Sequence, residues 1–112
     1  DQSRFFIIEG AGGILVPLNE TELMIDLMKS IKLPVVVVAR SGLGTINHTC
    51  LTLETLRHRG LEVYGVIMNG EPNLENRKAI EDYGKVKVLA EIPNFENLET
   101  EFFLFAENNG LN

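Results

Sequence analysis

The chain has 112 residues, a formal net charge of −6 and an apolar fraction of 45%, the balance of one ordinary globular domain or a piece of one. It carries no basic run, which argues against non-specific nucleic-acid or anionic-membrane binding, and its apolar runs are too short to span a bilayer. Cys50 is the only cysteine, so no internal disulfide can form and a cytoplasmic location is expected.

Arg4-Phe5-Phe6-Ile7-Ile8 reads as a buried strand. It stops on the carboxylate Glu9 and runs into Gly10-Ala11-Gly12-Gly13. An acid at a strand end, followed by backbone with little side-chain bulk, suits a metal and a phosphate. An ordinary polar strand end with a tight glycine turn has the same pattern. Residues 14–19 form an apolar loop, because Pro17 cannot donate to a ladder. Glu20–Ile31 predicts a helix with Asn19 as its cap and Leu23, Met24, Leu27, Met28 and Ile31 at helical spacing.

Pro34–Ala39 is a β-branched run without alternation, which predicts a strand buried on both faces. The turn Arg40–Gly44 leads to a helix from Thr45 to Arg59 that stops at Gly60. Glu62–Asn69 is the next strand, followed by the turn 70–73. Leu74–Tyr83 predicts a polar helix with a buried stripe of Ala79, Ile80 and Tyr83. Val86–Ile92 is the fourth strand, ended by Pro93. Leu98–Glu107 is a last helix whose Phe102, Phe103 and Phe105 are expected to be core contacts. Cys50 is expected to be buried, and His48 and His58, which fit no metal-ligand pattern, to lie on the helix surface.

Strand and helix thus alternate four times, which predicts an α/β fold with a mostly parallel sheet and flanking helices. The turns at 9–13, 41–47 and 69–73 are then expected on one edge of the sheet. Free N–H groups where the Gly42–Asn47 segment opens its helix would attract an anion. Asn69 offers a donor and an acceptor together, which matches the edge of an adenine.

Three stretches together resemble the dethiobiotin synthetase family. They are Glu9-Gly10-Ala11-Gly12-Gly13 with Val16-Pro17-Leu18, Leu33–Val38 with Gly42-Leu43-Gly44-Thr45-Ile46-Asn47-His48, and Gly60–Val63 with Gly65–Asn69. Gly84–Pro93 fits more loosely, so the resemblance covers about positions 4 to 95. It implies the C-terminal half of a P-loop-type NTPase fold over residues 1–112. The phosphate loop of such folds, Gly-x-x-x-x-Gly-Lys-Ser/Thr, does not occur in this sequence. A fragment, or a partner half on another chain, is therefore expected.

The resemblance further implies an ATP- and Mg2+-dependent ligase. Such an enzyme carboxylates 7,8-diaminopelargonate with CO2, phosphorylates the carbamate with ATP, and closes the ring to dethiobiotin. By the resemblance, Glu9 is the metal acid, and Gly10, Ala11 and Gly12 pack against nucleotide and substrate. Asn69 and Gly70 hold the adenine, Pro93, Asn94 and Phe95 line its other side, and one of Glu96, Glu99 or Glu101 contacts the nucleotide. Gly44, Thr45, Ile46 and Asn47 take the substrate carboxylate, with the substrate bound mainly by the other subunit of a homodimer formed through the 44–59 helix. Neither a nucleic-acid nor a membrane partner is expected. Two other readings stay open: a cobyrinate-type amide synthase fragment, and a non-catalytic α/β dimerisation module.

Overall fold

The structure is a computed structural model that describes residues 4–110. Its elements run α1 (Met24–Ile31), β1 (Val35–Arg40), α2 (Thr45–His58), β2 (Val63–Asn69), α3 (Leu74–Gly84), β3 (Val88–Ile92) and α4 (Leu98–Asn108). Among the described residues the sheet has three strands in the order β1-β2-β3, and both pairings are parallel. α2 and α3 are the crossovers that parallel pairing requires.

The core follows from the side-chain alternation of these strands. Val37 pairs with Val66 and Ala39 with Met68, and this face meets Leu53 of α2 and Ile80 of α3. Val66, Leu56 and Ile80 are fully buried at 0% exposure, and each such side chain stabilises the fold by about 1.5–3 kcal/mol. A second cluster joins Ile25 of α1 to Leu56 and Leu61.

The helix ends have local causes. Asn73 Oδ1 accepts from Asn76 N–H at 2.9 Å and starts α3, while Asn97 Oδ1 accepts from Thr100 N–H at 3.2 Å and starts α4. Gly60, at φ +80°, lets the chain turn away after α2.

Several expectations are corrected. Residues 4–8 form no strand: Phe5, Phe6 and Ile7 are 83%, 83% and 86% exposed. A strand needs ladder partners, and among the described residues none pairs with this segment. The sheet therefore has three of the four expected strands. β1 is buried on one face only, its burial alternates, and Val38 is 69% exposed. α1 begins at Met24, not Glu20. Asn19 does not cap it; its Oδ1 accepts from the Thr21 and Glu22 N–H groups and closes a local turn. Leu23 precedes α1, and its N–H donates to Asp26 Oδ2 at 2.7 Å.

Tyr83 is exposed, and Gly84 takes the expected inward place beside Leu53. Cys50 is half-buried. The phenylalanines of α4 lie outside both core clusters; Phe102 and Phe105 gather on Phe95, with ring centroids 5.9 and 5.7 Å away. His48 and His58 are exposed, as expected.

Candidate functional site

The carboxyl ends of the three strands are in register, since Arg40 pairs with Asn69 and Asn69 with Ile92. The turns that leave these strands are therefore neighbours. Hydrogen bonds fasten them. Ser41 N–H donates to the Asn69 carbonyl at 3.1 Å, and Gly70 N–H donates to the Ile92 carbonyl at 2.9 Å. Asn76 Nδ2 reaches back to the Ser41 carbonyl at 2.8 Å. Gly70 sits at φ +130°, and a Cβ there would fall 2.5 Å from Ser41 Oγ. Only glycine fits both the backbone angle and the space.

Asn69 stands exposed at the end of β2, and its Nδ2 donates to the Ile92 carbonyl at 2.8 Å. That bond orients the amide and leaves Oδ1 as an acceptor. Pro93, which follows Ile92, and Phe95 are half-buried, and Asn94 is exposed. Phe95 is steadied by the rings of α4.

α2 opens on Gly44 at φ +96°. Thr45 is buried and its hydroxyl is engaged with Thr49 Oγ1 at 3.1 Å, so its side chain faces inward. Thr45 N–H turns back to the Gly42 carbonyl, and His48 N–H to that of Gly44. The N–H groups of Ile46 and Asn47 have no backbone acceptor among the described residues, and both residues are exposed. What this helix start presents is therefore backbone N–H, the usual anion ligand at such a place.

Glu9 is exposed, and no hydrogen bond or ion pair holds it among the described residues. The turn after it lies by the start of α1: a Cβ on Gly10 would come within 2.8 Å of Met24 Sδ, and Gly12 has φ +79°. Ile25 N–H to the Ile14 carbonyl, at 2.8 Å, anchors the loop that follows. The structure thus brings Gly44–Asn47, Asn69–Gly70 and Pro93 to one sheet edge. It ties none of Glu9, Gly10, Ala11 or Gly12 to that edge by hydrogen bonds among the described residues.

Among the described residues no group of three or more His, Cys, Asp or Glu could hold a metal ion, and no helix is long and apolar enough to cross a membrane. The three late glutamates separate. Glu101 Oε2 accepts from the N–H groups of Glu96 and Asn97 at 2.8 and 3.2 Å, so it is engaged in starting α4. Glu96 and Glu99 are exposed. Sequence reasoning missed Ser41 and Asn76. The only signal for Asn76 was its position three residues after a capping asparagine, which marks a helix start and no more.

A family model described as an AAA domain matches residues 1–101. The ATP-dependent dethiobiotin synthetase of Paramagnetospirillum magneticum is 64% identical over 89 residues, which is 80% of this chain and 43% of that protein. That of Lawsonia intracellularis is 54% identical over 87 residues, or 78% of this chain and 43% of that protein. A biotin biosynthesis bifunctional protein of Bordetella avium is 55% identical over 95 residues, covering 85% of this chain and 20% of its own length. The chain thus spans less than half the length of these curated relatives. The expected resemblance and the α/β class are borne out, and the chain belongs to the AAA domain family as a relative of the ATP-dependent dethiobiotin synthetases.

Proposed function

We propose that this chain is the adenine- and substrate-binding part of an ATP-dependent dethiobiotin synthetase, its C-terminal half over residues 1–112. One observation carries the reading: the ends of β1, β2 and β3 are in register, and Ser41, Asn69 and Gly70 fasten their turns into one edge. Asn69 and the start of α2 thereby follow the ends of neighbouring strands, which supports an adenine amide beside an anion-binding helix start.

Each group has a task in that reaction. Asn69 Oδ1 accepts from the amino group of adenine, and guanine offers an oxygen there instead. Gly70, Pro93, Asn94 and Phe95 form the walls around the base, with Glu96 or Glu99 free to meet the nucleotide. The backbone N–H groups of Gly44–Asn47 hold the carboxylate tail of 7,8-diaminopelargonate, which fixes the diamine for carboxylation by CO2 and for ring closure.

Mg2+ suits Glu9. This ion takes hard oxygen ligands, needs only one or two carboxylates, and completes its shell with phosphate oxygens and water. Glu9 supplies one exposed carboxylate of that kind, and the exposed Gly10, Ala11 and Gly12 offer backbone beside it for phosphate and substrate to pack against. The bound ion would supply charge neutralisation on the phosphates.

The other subunit of a homodimer, formed through the 44–59 helix, completes the substrate site, and the cytoplasm is its compartment. The exposed Ile46 and Leu51 on α2 support that interface. The same residues favour one second reading, a dimerisation module that binds no nucleotide. Thermal unfolding with Mg-ATP separates the two. The chain mixed with the phosphate-loop half of a relative is expected to gain several degrees with ATP and little with GTP. No gain with either nucleotide in the mixture contradicts the first reading.

A further inference from the structure

We infer that Asn76 is a positioning residue: it locks the turn that binds substrate carboxylate to the turn that binds adenine, through the backbone of Ser41. The inference rests on the functional reading above and adds a residue to it.

Ser41 is the joint between the two turns. It is 6% exposed, its N–H is held by the Asn69 carbonyl, and its hydroxyl lies against Gly70. Its carbonyl is the acceptor for Asn76 Nδ2 at 2.8 Å, across 35 positions of sequence. Asn76 is carried on a fixed support, because its own N–H is bound by the capping Asn73 in the first turn of α3. The Ser41–Gly42 peptide is trans, so its N–H points opposite to its C=O. By holding the carbonyl toward α3, Asn76 aims the Gly42 N–H away from α3 and sets the direction in which the chain enters Gly42–Thr45. That entry decides where the N–H groups of Ile46 and Asn47 stand. The adenine turn has its own bonds, from Gly70 N–H and Asn69 Nδ2 to the Ile92 carbonyl, and does not need Asn76 for its shape.

The two turns should therefore respond differently to loss of this bond. One hydrogen bond of this kind corresponds to roughly a three- to ten-fold effect on binding. In the full-length enzyme, Asn76→Ala and the isosteric Asn76→Asp, which lacks the donor, are each expected to raise the KM for 7,8-diaminopelargonate by roughly that factor. The KM for ATP should stay within about two-fold. A merely structural role would move both constants together or neither, so either of those results overturns the inference. Thermal unfolding of both variants checks that they fold.

Ile46→Asp is the control, since it sets a negative charge beside the proposed carboxylate site. If Ile46→Asp raises the KM for the diamine and the Asn76 variants do not, only the inference fails. If Ile46→Asp leaves that KM unchanged, the substrate reading itself fails and the inference falls with it.

Discussion

Asn69 is the residue on which nucleotide choice should turn. Its Nδ2 is engaged with the Ile92 carbonyl at 2.8 Å, so the side chain arrives with Oδ1 already aimed. Asn69→Ala in the full-length enzyme is expected to raise the KM for ATP roughly ten-fold, since an unpaired polar edge costs about 1–3 kcal/mol. The preference for ATP over GTP should shrink with it, and steady-state rates with both nucleotides measure this; an unchanged preference removes Asn69 from the site. Glu9→Gln is expected to depress turnover at saturating Mg2+ by at least about ten-fold while the thermal midpoint stays close to that of the parent. Full activity at saturating Mg2+ would end the metal role. Both residues were legible as polar groups at the ends of apolar runs. Asn76 was not, because its partner is a backbone carbonyl 35 positions away, and backbone acceptors leave no trace in residue type.

Among the elements, α2 and α3 pack closely through a glycine. A Cβ on Gly84 would lie 2.8 Å from Leu53 Cδ1, and Leu53 is 1% exposed. Arg57 donates to the Gly84 and Lys85 carbonyls at 2.5 and 2.8 Å and closes the end of α3 against α2. Gly84→Ala should therefore destabilise the fold by about 1–3 kcal/mol through overpacking, read as a lower midpoint in urea; a neutral result would show that Leu53 can yield. α2, β2, α3 and α4 were legible to within a residue or two, because caps and glycine stops flank clear apolar patterns. α1 was drawn four residues too long at its start. The apolar spacing from Leu23 onward gives no stop before Asn19, but Asn19 spends its side chain on its own turn, and the Pro17–Leu23 bridge closes residues 18–22 into that turn. Tyr83 was misplaced for a related reason: spacing alone cannot tell that a glycine next to it provides the close approach.

At the scale of the whole molecule, the segment before Glu9 and the outer edge of β1 share a property. Phe5–Ile8 is exposed, Val36 and Val38 are exposed, and β1 pairs on one side only among the described residues. Apolar runs of this kind read as doubly buried strands, and composition cannot say whether the cover is present. In the proposed enzyme, the phosphate-loop half supplies it, together with the lysine-bearing loop that residues 1–112 do not contain. Donors of that loop stabilise charge on the transferred phosphoryl group, each by a few kcal/mol. Dethiobiotin formation from 7,8-diaminopelargonate, bicarbonate and Mg-ATP is the direct measurement, made with residues 1–112 alone and again with the phosphate-loop half of a relative added. No product is expected from residues 1–112 alone and measurable product from the mixture; product from residues 1–112 alone, or none from a mixture shown to associate, would overturn the half-enzyme reading.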